Sequence, residues 1–201
     1  MSRVMDTSTI EPGFASPVFG SQDTFRRILD AYAYVGRPQT LVPAATAVGP
    51  LDPATVSVCL TLADFETPIW LDPRSNLTSV RNYLGFHCRA PVVDGPERSA
   101  FAIVADPMAM PRLQKFCLGS ELEPQASTTI VVQVPSFTGG LLAQWRGPGI
   151  QHEISAAIEG LPSWFWEDWQ LNQADYPIGV DVLFTSGNAV IALPRSISVE
   201  I

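Results

Sequence analysis

The sequence predicts a layered α/β fold with a mixed sheet. Three observations carry that prediction. Segments with helical periodicity alternate along the chain with short apolar runs of β type, such as FAIV at 101–104 and TTIVVQV at 128–134. Near the C-terminus VDVLFT, Ser-Gly-Asn and AVIAL follow one another, a hairpin pattern that makes part of the sheet antiparallel. Hydrophobic residues make up 46% of the 201 and charged residues 16%, enough to bury a sizeable core.

The elements follow in order. Residues 1–20, rich in Ser, Thr, Pro and Gly, are expected to form an extended arm, and residues 21–201 a single domain. A first helix is capped by Ser21, with Phe25, Ile28, Leu29 and Tyr32 as its core face and Arg26, Arg27 and Asp30 on the other; Gly36 and Pro38 stop it. In LDPATVSVCLTLAD, Asp52 is the N-cap and Pro53 the first helical residue, and the interior is apolar nearly all round, so this helix should be buried. Pro68–Leu71 reads as a short buried strand. Asn76–Leu84 reads as a helix with Leu77, Val80 and Leu84 on one face. Strands at 101–104 and 128–134 flank a short helix at Pro107–Phe116. GGLLAQWRGPGI gives a strand, a Gly-Pro-Gly turn and a second short strand. PSWFWEDWQLNQADYP is a helix opened by Pro162 and Ser163. After the hairpin, Pro194 and Arg195 lead into a final strand, SISVEI.

Charge and scarce residues narrow the chemistry. A net charge of -8, from 20 acidic and 12 basic residues, argues against a nucleic-acid or anionic-membrane partner, both of which need a basic face. MSRVMDTSTIEP has no continuous apolar core of a signal peptide, so a cytoplasmic location is expected. Cys59, Cys88 and Cys117 are widely spaced and odd in number, with no disulfide framework and no cluster for an iron–sulfur centre. Lys115 is the only lysine and His87 and His152 the only histidines, and no spacing suggests a metal site. No cofactor is therefore expected.

Several stretches are open to both a chemical and a structural reading. Asp64 and Glu66 in CLTLADFETPIWL could be an acid/base pair, but nothing sets them in different environments, and the structural reading has Asp64 bonding nearby backbone amides to shape the turn. His87 in GFHCRAPV adjoins Cys88, and adjacent residues seldom point at each other, so a structural or ligand-orienting role is favoured over a Cys-His nucleophile. RGPGIQHE resembles a phosphate cradle yet lacks the lysine of a P-loop; a turn is favoured. In WFWEDW, Trp164, Phe165, Trp166 and Trp169 crowd one short helix, either as an interface anchor or as a peripheral core helix. Arg195 could hold a phosphate or carboxylate, or pair with Asp181 or Glu200.

Taken together, FRRILDA, LTLADFETPIWL, FHCRAP, the GG and GPGI turns at 139–150, PIGVDVLF and ALPRSISVEI resemble the PhnH family, a subunit of the bacterial carbon–phosphorus lyase system. The segments occur in the family's order from Asp23 to Ile201. The resemblance implies a three-layer α/β/α sandwich similar to the large domain of PLP-dependent transferases, without PLP. It implies an accessory role beside PhnG, PhnI and PhnL in placing a phosphonate on ATP, giving a ribose 1-phosphonate 5-triphosphate, before the iron–sulfur subunit PhnJ cleaves the carbon–phosphorus bond. Two copies are expected to associate through paired apolar surfaces when the protein is isolated, and the Trp164–Trp169 helix is the leading candidate for an interface with partners. The competing expectation is a catalytic or ligand-binding subunit that takes phosphonate or nucleotide in a cleft near His87, Asp181 and Arg195.

Overall fold

The computed structural model describes residues 10–44 and 48–201; the first nine residues of the expected arm lie outside them. In chain order the elements are α1 (Pro17–Ala33), β1 (Gln39–Thr40), α2 (Pro53–Leu62), β2 (Ile69–Leu71), α3 (Thr78–His87), β3 (Val92–Val93), β4 (Phe101–Val104), β5 (Thr129–Gln133), β6 (Ala143–Arg146), β7 (Ile154–Ala156), α4 (Phe165–Ala174), β8 (Asp181–Ser186), β9 (Ala189–Leu193) and β10 (Ser198–Glu200). A seven-stranded mixed sheet runs β1-β9-β8-β5-β4-β2-β3. From β3 through β8 neighbouring strands are parallel; β9 is antiparallel to β8 and to β1. A second sheet, β10-β6-β7, is antiparallel.

Side-chain alternation along each strand divides the core in two. Ile69, Leu71, Ile103, Val131, Leu183, Val190 and Ala192 face a layer made of α1, α2 and α3. Trp70, Ala102, Val104, Ile130, Val132, Phe184 and Leu193 face α4, the loops and the small sheet. The fold is therefore layered and mixed α/β as expected. The far layer is only partly helical, because Ala143 and Trp145 of β6 point inward and bury completely beside α4.

In α2 every residue from Ala54 to Cys59 is buried, which matches its unbroken apolar character. Two of its buried polar side chains are satisfied: the Ser57 hydroxyl donates to the Val42 carbonyl at 2.7 Å, and Thr55 and Thr185 share a hydrogen bond of 2.8 Å. The C-terminal hairpin and the strands at 69–71 and 101–104 stand where the sequence places them.

Three elements differ from expectation. First, α1 begins at Pro17, so the expected arm ends at residue 16 rather than residue 20 and Ser21 is inside the helix. Proline suits the first turn, where its missing N–H has no partner to lose. The face that meets the core is Gly20, Thr24, Ile28 and Ala31, while Phe25 and Leu29 are exposed. Small residues bring α1 close to its neighbours: a Cβ on Gly20 would stand 2.7 Å from Phe14. Second, Pro107–Phe116 is not one helix but two 3-10 turns, Pro107–Ala109 and Leu113–Lys115, because Pro111 cannot donate to a continuous ladder. Third, α4 starts at Phe165, after Pro162 and Ser163.

The Gly-Pro-Gly segment is a turn. Gly149 has φ 82° and lies against the end of α1, where a Cβ would meet the Ala33 carbonyl oxygen at 2.6 Å. Only glycine serves both the conformation and the approach.

Candidate functional site

The sequence contains three Asp-Pro pairs, Asp52-Pro53, Asp72-Pro73 and Asp106-Pro107. The fold gathers all three where the parallel strands β2, β4, β5 and β8 end. Around that edge lies a crevice of about 500 Å³, lined by Asp52, Arg74, Asp106, Gln133 and Ser186 among others. Crevices outside the carboxyl ends of parallel strands are where open α/β sheets place ligands, at the point where strand order reverses. Here that point lies between β2 and β4, since β3 continues on the far side of β2.

Asp72 sits at this point and is completely buried. Its carboxylate accepts from the backbone N–H groups of Ser75 at 2.7 Å, Ala105 at 3.1 Å and Asp106 at 2.8 Å. It thereby fixes both loops that leave β2 and β4. Asp106, so held, caps the 3-10 turn that follows by accepting from Met108 N–H at 3.1 Å. On the opposite wall the Asp52 carboxylate does not cap its own helix. It accepts from Gly187 N–H at 3.1 Å, while the Asp52 N–H donates to Gln133 Oε1 at 2.6 Å. Gln133 closes the wall by donating to the Pro50 carbonyl at 3.0 Å. Arg74, presented from the rigid turn that Asp72 holds, is exposed and has no ion pair among the described residues.

Asp181 and Arg195 do meet, but at the opposite edge of the sheet, and His87 does not join them. Arg195 spends its donors inside the chain, on Asp181, on Ser127 Oγ, and on the carbonyls of Pro124 at 2.8 Å and Pro177 at 3.4 Å. The pair is a tie between β8, the end of β9 and the loop before β5. His87 ends α3, where its Nε2 lies 2.9 Å from the Glu11 carbonyl and its ring packs on Tyr83. α3 follows β2, which is three strand positions from β8 in the sheet, about 14 Å at ordinary spacing. The expected convergence of His87, Asp181 and Arg195 is therefore corrected: Asp181 and Arg195 pair with each other, and His87 stands apart.

The Trp-rich helix is corrected too. Phe165, Trp166 and Trp169 are buried in the chain's own core, and Trp169 donates its indole N–H to the Ile197 carbonyl at 2.9 Å. They have no surface left to offer a partner; Trp164 is half-buried, with the Arg112 guanidinium 5.0 Å over its ring. The same Arg112 holds Asp168 through Nε, 2.8 Å from each carboxylate oxygen, and through Nη2 to Oδ1, and Leu113 N–H adds a third donor at 3.0 Å. Burial pushes against the Asp168 charge, but these donors outweigh it and keep the carboxyl below its ordinary range.

The remaining motifs resolve to structure. Asp64 accepts from Glu66 N–H at 2.8 Å and from the Thr67 hydroxyl at 3.2 Å, as the turn reading has it, and Glu66 is exposed. Cys59 and Cys88 are buried near one another. Burial pushes the Cys88 thiol up to about 12 and the Cys59 thiol higher still, so neither is a nucleophile at neutral pH. No group of three or more metal-ligating side chains occurs among the described residues, and none of their helices is long and apolar enough to cross a membrane.

Sequence reasoning missed Asp72, Arg74, Asp106 and Gln133. The signal that could have found the first three was the recurrence of Asp-Pro directly after apolar runs. Aspartate takes the amides just ahead of it and proline opens the next turn, so such pairs mark strand ends.

Residues 12–200 match the family model described as bacterial phosphonate metabolism protein (PhnH). The chain is 39% identical over 187 residues to the alpha-D-ribose 1-methylphosphonate 5-triphosphate synthase subunit PhnH of Rhizobium meliloti (strain 1021), covering 93% of this chain and 94% of that one. It is 30% identical over 184 residues to the putative C-P lyase subunit protein HtxG of Stutzerimonas stutzeri, covering 90% and 86%. An ordered likeness along almost the whole length, over a fold whose motifs each have a structural use, leads to one assignment: this chain belongs to the PhnH family of bacterial phosphonate metabolism proteins.

Proposed function

We propose that this protein is an accessory, largely architectural subunit of a cytoplasmic carbon–phosphorus lyase system, supporting phosphonate transfer onto ATP beside PhnG, PhnI and PhnL, with PhnJ cleaving the carbon–phosphorus bond afterwards. The observation that carries this is the near full-length likeness to a named subunit of ribose 1-methylphosphonate 5-triphosphate synthase. A frame like the large domain of PLP-dependent transferases, without PLP, belongs to this reading, and the main sheet's parallel strands and antiparallel β9 are compatible with it. Lys115, the only lysine, stands on the 3-10 turn Leu113–Lys115, which packs against α4 and takes no part in lining the crevice. The buried thiols of Cys59 and Cys88 and a saturated Arg195 support the same reading, since neither supplies a reactive group.

The subunit surface in this reading is α1. Its outer face carries Val18, Phe19, Phe25 and Leu29, all exposed. Val18, Phe25 and Leu29, spaced i, i+7 and i+11, fall on one helical stripe, with Phe19 beside it. In the isolated protein its occupant is a second copy, the apolar stripe of one α1 lying antiparallel on that of the other as a two-fold interface requires. Co-expression with the four partner subunits tests the function, with co-elution in fixed ratio as the expected result. Failure to capture any of them would overturn the accessory role. For the surface, Phe25→Glu should convert the isolated dimer to a monomer with an unchanged fold.

A further inference from the structure

The carboxyl-edge crevice holds opposite charges that do not neutralise each other. Arg74 lies just beyond β2 and Asp106 just beyond β4. These strands are paired neighbours, about 5 Å apart. Yet Arg74 makes no ion pair with Asp106 or with any other described carboxylate. Both side chains are carried by backbone that Asp72 fixes, through Ser75 N–H on one side and Asp106 N–H on the other. A second carboxylate, Asp52, lines the same space from the β8 side. The lining therefore carries one cation and two anions. A bare polyphosphate is the wrong match, because the pocket's balance is negative and the chain as a whole carries -8. The backbone amides that would otherwise greet an oxyanion at the β4 end are already taken by Asp72.

From this we infer that the crevice binds a small zwitterion, with a tetrahedral oxyanion on the Arg74 guanidinium and an ammonium group on the Asp106 carboxylate. Resting on the function proposed above, the ligand class is the aminoalkylphosphonate. Its two charges are a few bonds apart, which suits groups presented from adjacent strands. A volume of about 500 Å³ admits such a molecule with room beyond it, toward Asp52, for a larger substituent or a second reactant. Arg74 is suited to the oxyanion because its planar fork meets two oxygens at once.

The test is calorimetric titration of the full chain with 2-aminoethylphosphonate, with ethylphosphonate as the amine-free match and with β-alanine as the carboxylate match. The expected order is 2-aminoethylphosphonate tighter than either by about fivefold or more, the gain of one charged hydrogen-bonding pair. Arg74→Met should weaken both phosphonates by about tenfold. Asp106→Asn should weaken only the amine-bearing one and leave ethylphosphonate unchanged. Asparagine retains the cap to Met108 N–H, and Arg74 is exposed and unpaired, so both variants keep the fold; circular dichroism melting checks this. Equal binding of the two phosphonates, equal loss in Asp106→Asn, β-alanine binding as tightly as the phosphonate, or no saturable heat from any of them each overturns the inference. Partner capture in the co-expression experiment does not depend on this pocket, so a failure here and a failure of the accessory role are read separately.

Discussion

Arg195 and Asp181 are joined by three hydrogen bonds: the Arg195 backbone N–H reaches Oδ1 at 2.8 Å, Nε reaches the same oxygen at 3.2 Å, and Nη2 reaches Oδ2. The side chains are only 14% and 18% exposed. Removing one partner strands the other's charge. Asp181→Asn or Arg195→Leu should therefore cost about 2–4 kcal/mol in denaturant unfolding. Binding of 2-aminoethylphosphonate at the far edge should stay as it is. A loss of ligand affinity with normal stability would return Arg195 to the ligand-binding role.

Trp169 is fully buried and hydrogen-bonded to the Ile197 carbonyl. Trp169→Ala should lose about 3–5 kcal/mol. The loss appears as a lower melting temperature of the isolated chain. If this helix were instead an interface, the change would reduce association and spare the monomer's stability.

Asp168 gives the protein a specific acid sensitivity. Its carboxyl is held below the ordinary value in the folded state by Arg112 and Leu113 N–H, against the cost of burial. A depressed folded-state value means stability that is complete above the unfolded-state pKa, about 3.9, and is lost as pH falls below it through the folded value. Unfolding free energy should thus be insensitive to Asp168 from pH 7 down to about 5 and should fall more steeply below about 4. Asp168→Asn should be less stable at neutral pH and should show a shallower acid limb. Identical acid limbs in the two proteins would rule this out.

Arg89, two residues past the end of α3 and directly after its C-cap Cys88, has φ 57°, the only non-glycine with positive φ among the described residues. A side chain there costs roughly 1–2 kcal/mol relative to an ordinary conformation, partly recovered in the unfolded state. Arg89→Gly should raise stability by about 0.5–1 kcal/mol, measured as a shift of the denaturant midpoint at constant slope.

Cys59 and Cys88 are buried and Cys117 is partly accessible. An aromatic disulfide reagent should label Cys117 alone in the native protein and all three thiols after denaturation. Rapid native labelling of Cys88 would contradict the burial that raises its pKa.

Much of the framework was legible because local chemistry and tertiary need agree. The β8–β9 hairpin has its turn glycine, α2 has Asp-Pro at its start and apolar residues all round, and β2 and β4 are short apolar runs. The face of α1 was misread for a physical reason. Amphipathic periodicity reports where large apolar side chains lie, not what covers them, and here Gly20, Thr24 and Ala31 meet the core while Phe25 and Leu29 remain outside. The Trp cluster was ambiguous because crowding does not say whether a second sheet exists to bury it; β6 and β10 supply that cover. The crevice was illegible as a site because Asp52, Asp72 and Asp106 are brought together by strand order alone, and strand order is not written in any single segment.

The carboxylate of Asp72 has one last implication. By saturating the amides at the strand ends, it gives the sheet an internal counterion where related architectures leave a vacancy for a phosphoryl group. What remains to greet a substrate oxyanion is Arg74, a cation on a long swinging stem rather than a rigid array of dipoles. Such an arm meets two oxygens at once with its planar fork and is free to turn about its own stem. On the function proposed above, the molecule would hold a reactant and leave the chemical step to its neighbours.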